Sequence, residues 1–316
     1  MNSPIADLSY RNYDGPLSAP GFRWWVVAKT MMGMAIKKRG FWVWATMGAY
    51  WYFILLVMFY FMDTLTGGQI NLMKQVIWPD QFVNAFSLAQ IVLFSLALLI
   101  GIGSISNDRR ANALLVYLGK PCSKADYLFG KWVGICLPIS IVAAVPAVLF
   151  YFYCLMSYRT YGVIGQDMFL LPKILLASFV PGFFHASLCL GISSLFDQGR
   201  LAGGAYAGIY FISNLITKAI QVAYIISEHP HGRHSVGTPN PSLANAYYFA
   251  VDGIQIGLAK IIFQSDGGQL IVGSPKGGNG AIPIPSIGFI LPVYFGICAA
   301  AIWIAYVRVR PVEVIS

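Results

Sequence analysis

Six long apolar runs dominate the chain, at 41–62, 82–105, 132–156, 172–196, 205–227 and 287–307. Each holds 21 to 25 residues, and about 20 helical residues cross a hydrocarbon core. Inside a bilayer only helices or a closed barrel satisfy the backbone. The runs are continuous rather than alternating, so they predict an all-α integral membrane protein with six transmembrane helices. The longest stretch outside them, 228–286, is rich in Gly and Pro and lacks a core-forming pattern. We read residues 1–40 as a cytoplasmic tail with an interfacial helix. Residues 41–316 form one six-span domain, with an inner loop at 106–131 and an outer loop at 228–286.

Composition agrees, and charge gives the orientation. The chain is 57% hydrophobic and 10% charged, which leaves little for a soluble domain. Of its 21 Lys and Arg residues, 14 fall in the N-terminal segment, the 106–131 loop, the 197–204 turn and the C-terminal tail. Six fall on the alternate segments or at Lys173 on the edge of a run, and Lys218 lies within one. The positive-inside rule then places both termini in the cytoplasm. The net charge of +9 is thus a matter of topology, and no nucleic-acid partner is expected. Residues 1–20 are polar and carry no apolar segment of the signal-peptide kind, so the first run reads as an uncleaved anchor. Cys136, Cys154, Cys189 and Cys298 lie within runs and Cys122 in the inner loop, a spacing that suggests neither a metal site nor an outer disulfide.

The segments flanking the runs carry more local detail. From Phe22 to Arg39 a helix is expected, with Arg23, Thr30 and Lys37 recurring every seven residues as a polar stripe. Trp24 and Trp25 suit the headgroup region, and Lys37, Lys38 and Arg39 suit lipid phosphates. This helix should lie along the inner leaflet and turn into the membrane at Gly40. In the inner loop, Ser106 or Asn107 can cap a helix over 107–118, with Asp108 near its positive end. Ala111, Leu114, Leu115 and Leu118 then share one apolar face. Gly119-Lys120-Pro121 stops that helix, and Ser123-Lys124-Ala125-Asp126 starts the next. Flanked by Arg109, Arg110 and Lys120, the short helix either packs on its own spans or docks against a partner.

The run from Asp108 to Lys131 resembles the cytoplasmic signature of the type-2 permeases of ATP-binding-cassette exporters. That signature has an acidic residue after the second span, a Leu-rich helix, a Pro-x-Ser-basic turn and an aromatic-Leu-x-Gly-Lys ending. Pro121, Ser123, Lys124, Tyr127, Leu128, Gly130 and Lys131 match its second half. Asn112-Ala113-Leu114 stands where the family often has Gly-Thr-Leu, and Cys122 replaces the usual aliphatic residue. The family plan of an interfacial helix, six spans and a coupling helix after the second span covers most of the chain. The resemblance implies a permease subunit of an exporter in a bacterial-type plasma (inner) membrane. It further implies a second permease subunit, in a homo- or heterodimer, and separate cytosolic ATPase subunits that bind ATP and Mg. Asp108, Arg109, Arg110, Leu114 and Leu118 are the expected ATPase-docking residues.

This chain shows no energy source of its own. A P-loop needs Gly-x-x-x-x-Gly-Lys-Ser/Thr, and both Gly-Lys pairs fail, being followed by Pro121 and Trp132 and preceded by Leu114 and Ala125 where the first Gly belongs. Neither His-Glu-x-x-His nor Gly-x-Ser-x-Gly occurs, so catalysis and a cofactor in this chain are not expected. Intramembrane polar groups are expensive and mark pathways. Tyr210, Asn214, Thr217, Lys218 and Gln221 gather on one face of the fifth run and are candidates for a pathway or subunit interface. Lys218 could instead reach interfacial water, and His185 lies at comparable depth. Gly204 and Gly208 form a small-xxx-small pair that permits close helix approach within or between subunits. His229, His231 and His234 are the candidate metal ligands, although Pro230 and Gly232 favour a solvated turn. Residues 243–263 read as an amphipathic helix at the outer interface, or a partly re-entrant one, with Asp252 and Lys260 its only charges. The competing reading of the whole chain is a membrane scaffold or assembly factor, conceivably metal-linked, that recruits partners without moving a substrate.

Overall fold

The computed structural model describes residues 22–66, 75–113, 123–159, 163–228, 241–269 and 282–309, and every regular element among them is helical. In chain order these are α1 (Arg23–Lys37), α2 (Arg39–Thr66), α3 (Trp78–Ile100), α4 (Ser106–Arg110), α5 (Lys124–Tyr158), α6 (Val163–Gln166), α7 (Leu170–Leu195), α8 (Gly199–Glu228), α9 (Pro241–Tyr247), α10 (Val251–Phe263) and α11 (Ile287–Arg308). Five are long and apolar enough to cross a membrane: α2 over Arg39–Thr64, α3, α5, α7 and α11. They contain or overlap the first four predicted runs and the last. The fifth run lies inside α8, which is long enough at 30 residues but diluted in hydropathy by its own polar stripe.

The bundle is built on α5. At 35 residues it runs about 50 Å at helical rise, longer than a hydrocarbon core is thick, so it extends beyond the bilayer. Its start is set as the sequence predicts: Ser123 Oγ accepts from the Asp126 N–H at 3.1 Å, and the Asp126 carboxylate accepts from the Ser123 N–H at 3.2 Å, a reciprocal capping box. α5 packs against α7 along one side and α1 along another. Small residues permit the second crossing. A Cβ added at Gly130 would stand 2.5 Å from the Trp24 carbonyl oxygen, and one at Gly134 would stand 2.6 Å from Met31 Cβ. The face of α1 so covered is Val27, Ala28, Met31 and Ala35, while Trp25, Val26, Met34 and Ile36 on the opposite side are exposed. α1 thus lies against α5, with an apolar outer face suited to lipid.

The chain turns between α1 and α2 at Lys38, which is extended (φ −75°, ψ 126°), and not at Gly40 as the sequence suggested. Gly40 lies within α2, where the Leu99 side chain would sit 3.2 Å from an added Cβ. Glycine here serves helix packing rather than the turn. At the other end of α2, α3 and α5 a second core gathers around Trp78, whose ring stacks on Tyr158 and meets Phe59 edge-on. There the segment after α10 is fastened to the start of α3. The Ser265 hydroxyl and the Gln269 N–H both donate to the buried Asp80 carboxylate, and Gln81 and Asn84 both donate to the Gln269 carbonyl at 3.0 Å.

The sequence left open whether 243–263 is an interfacial or a partly re-entrant helix. It is two helices, α9 and α10, with a tight reversal over Tyr248–Ala250, and α10 is packed within the bundle. Every residue from Val251 to Lys260 is buried, against α3, α7, α8 and α11. The two charges that argued for an interface are each satisfied inside: Tyr210 Oη donates to Asp252 at 3.0 Å, and Lys260 Nζ donates to the Ile282 carbonyl at 2.6 Å. A buried charge with a good partner is tolerated where a lone one is not. Gly253 and Gly257 lie against Tyr247 and Tyr248, which lets the reversal close.

The α1–α5 crossing makes a direct prediction. Gly130→Ala should lower the thermal unfolding midpoint in detergent by several degrees, reflecting about 1–3 kcal/mol of overpacking. Gly33→Ala on α1, where no atom lies within 4 Å of an added Cβ, should leave the midpoint unchanged or raise it.

Candidate functional site

The expected docking segment begins as the sequence foresaw and then departs from it. α4 opens at Ser106, but neither Ser106 nor Asn107 caps it. The Ser193 hydroxyl, near the C-terminal end of α7, does so by accepting from the N–H groups of Ile105 and Ser106, both at 3.1 Å. The helix is also not continuous over 107–118. It stops at Arg110, Asn112 takes a left-handed conformation (φ 51°), and helix resumes at Ala113. Ala111 therefore does not share a helix with the leucines. Asparagine suits such a break because its short polar side chain tolerates that region. Leu114 and Leu118 lie outside the described residues.

Asp108 faces the bundle. Its carboxylate forms an ion pair with Lys131 at 2.8 Å and accepts from Tyr127 Oη at 2.8 Å. Tyr127 and Lys131 stand one turn apart on α5, so both reach the same acid. Lys131, 3% exposed, also donates to the Ser104 carbonyl at 3.1 Å. The acidic residue and the aromatic-Leu-x-Gly-Lys ending of the sequence signature thus form one clasp: Asp108 binds Tyr127 and Lys131, and Gly130 between them admits α1. Arg109 points the same way, bridging Asp197 at 2.9 Å and the Ser194 carbonyl at 2.9 Å. Asp197 is 82% exposed, so that ion pair adds little by itself, but together with Ser193 it ties α4 to the end of α7. Arg110 is the docking candidate of the three that is exposed. Tyr127, Lys131 and Ser193 were not chosen from the sequence. The first two were legible as an i, i+4 pair opposite an acid, whereas nothing flagged Ser193.

On α8 the predicted stripe divides. Tyr210, Asn214 and Thr217 turn inward. The Tyr210 ring stacks on Phe94 with centroids 3.6 Å apart, and Asn214 hydrogen-bonds the Asp252 carboxylate that Tyr210 also holds. The Ser213 hydroxyl accepts from the Val251 N–H at 2.7 Å, which fixes the start of α10. Thr217 is buried and bonds back to the Ser213 carbonyl. Lys218 is exposed, with Gln221 its neighbour at 3.5 Å. His185 meets the Tyr206 hydroxyl at 2.5 Å rather than Lys218. Gly204, at the edge of a cavity, and Gly208 have no atom within 4 Å of an added Cβ, and the exposed Leu201, Ile212 and Leu215 lie on the same helix. The pair is therefore not used for packing within the subunit. His229, His231 and His234 lie outside the described residues, and no group of three or more metal-binding side chains occurs among the described ones.

Removing one half of the Asp108 clasp should be costly. Asp108→Leu leaves the Lys131 charge buried and unpaired, which costs about 3–5 kcal/mol and should appear as a lower thermal midpoint of the purified chain. Asp108→Leu combined with Lys131→Met should recover part of that loss. Equal midpoints for the single and double variants would mean that the pair carries no such burden.

The family model described as ABC-2 family transporter protein matches residues 24–306. The chain belongs to that family and is a multi-pass membrane permease. Comparison with curated proteins found no match.

Proposed function

We propose that this ABC-2 family chain is the membrane subunit of an ATP-driven exporter. It works as a pair of permease subunits above separate cytosolic ATPases, which bind the ATP and Mg. In this reading α8 is the sixth span and both termini are cytoplasmic. The observation that carries the coupling is the clasp of Asp108 with Tyr127 and Lys131. α4 is joined to α5 by an ion pair, and α5 to α1 through Gly130 and Gly134. A push on the 107–118 segment therefore reaches the interfacial helix and the longest span together. Asp108 and Arg109 hold the segment to the bundle, whereas Arg110, Leu114 and Leu118 meet the ATPase. The outer face of α8, notched at Gly204 and Gly208 and lined by apolar side chains, meets the second subunit. Lys218 and Gln221 then border the interface through which substrate leaves.

Two outcomes are expected. The tagged chain, purified in mild detergent, should bring down a stoichiometric P-loop ATPase, and Arg110→Glu should reduce its recovery severalfold with membrane insertion intact. Unchanged recovery would overturn the docking assignment, and recovery of the chain with no ATPase at all would favour the scaffold reading. Gly204→Leu with Gly208→Leu should convert the permease dimer to monomer by native mass spectrometry without lowering the subunit's thermal midpoint, because among the described residues no atom lies within 4 Å of an added Cβ at either position.

A further inference from the structure

A cavity of about 1020 Å³ opens on the side of the bundle that carries the basic flanks, walled by α1, the end of α3, α4 and the start of α8. Its lining mixes apolar and charged groups. Met31, Met34 and Leu99 stand beside Lys38, Arg110, Arg200 and Lys131, with Asp108 as the acid. Asp108 is already spent on Lys131. Among the described residues no carboxylate pairs with Lys38, Arg110 or Arg200, although all three line one space. Lys38 uses one of its three donors on the Leu99 carbonyl at 2.7 Å. Partial desolvation lowers its pKa below the usual lysine value, and a nearby anion would reverse that shift.

A second observation also points to a ligand. Ser104 lines the cavity, is 4% exposed, and its hydroxyl has no hydrogen-bond partner. A buried hydroxyl without a partner is unfavourable by a few kcal/mol at most, and native structures seldom leave one so. An acceptor placed in the cavity would satisfy it along with Lys38 and Arg200. The space is too large for an inorganic anion and lies at the upper end of small-molecule pockets. It is also bounded by α1, whose outer face of Trp25, Val26, Met34 and Ile36 is exposed and apolar, as in helices that lie at the headgroup boundary.

We propose that this cavity binds the phosphate headgroup of an anionic membrane lipid from the inner leaflet. The phosphate lies among Lys38, Arg200 and Ser104, and the first part of an acyl chain lies along Met31, Met34 and Leu99. Arginine offers paired donors to phosphate oxygens and lysine a point charge, while methionine adapts to a flexible chain. The site does not depend on the ATPase reading. It requires only that the chain sit in a bilayer, and it is tested on the purified chain alone.

The test is native mass spectrometry of the full chain in detergent, titrated separately with phosphatidylglycerol, phosphatidylcholine and soluble glycerol phosphate. The expected result is one tightly retained phosphatidylglycerol per chain, weaker phosphatidylcholine, and no displacement by glycerol phosphate. Lys38→Gln with Arg200→Gln should weaken phosphatidylglycerol by on the order of tenfold, through loss of two charge-assisted contacts. Lys29→Gln with Lys37→Gln, two exposed α1 cations that do not line the cavity, should leave it unchanged. Met34→Trp narrows the space without altering charge and should also reduce binding, so the proposal remains testable should the first pair unfold. Equal binding of the two lipids, or equal losses in the cavity and control pairs, would overturn the site in favour of general surface attraction. Displacement by glycerol phosphate would overturn the lipid as its ligand in favour of a soluble phosphate ester.

Discussion

The ion pair between Asp108 and Lys131 is the contact on which the basic end of this molecule depends. Lys131 is almost wholly buried beside a large cavity, and its charge is sustained there by one carboxylate and one backbone carbonyl. Such a pair adds little net stability against an apolar substitute. What it supplies is position. The acid fixes the first turn after α3, the lysine lies eight residues beyond the capping box of α5, and the glycine beside the lysine receives α1. Three elements far apart in sequence are thereby held in one register, by residues that occur within a single stretch of 24.

That stretch was readable from the sequence as a signature, and the structure adds internal contacts that the sequence did not locate. The charges at 108–110 looked like a surface prepared for a partner, because a short charged helix between two spans has few other uses. In the structure two of the three charges are consumed internally, by groups the local pattern could not locate. Tyr127 and Lys131 could be placed on one helical face, yet nothing in their spacing says which acid they face. Ser193 is a further case: a serine near the end of a span is unremarkable until its hydroxyl is found capping a helix 88 residues earlier. The runs themselves matched the helices to within eight residues at either end, since burial in lipid leaves a long and continuous record.

The burial of α10 was not legible, for the opposite reason. Its thirteen residues are apolar apart from Asp252, Gln255 and Lys260, and a sequence can only weigh those groups as exposed. Each of the two charges has a partner more than twenty positions away, which hydropathy and neighbouring residues could not locate. α8 shows the same effect in reverse. Its stripe of Tyr210, Asn214 and Thr217 looked like the wall of a pathway, yet those side chains turn inward and hold α10 in place. What remains on the outside of α8 is an apolar face with two glycine notches, and that is the part suited to a neighbour.

The burial of α10 also constrains how the protein is made. At thirteen residues it spans about 20 Å, short of a hydrocarbon core, and it could not be released into lipid as a span in its own right. Its companions α3, α7 and α8 are synthesised before it, but α11, which closes the remaining side, comes after. α11 therefore completes the enclosure of α10, whose Asp252 and Lys260 are buried with partners in the folded subunit.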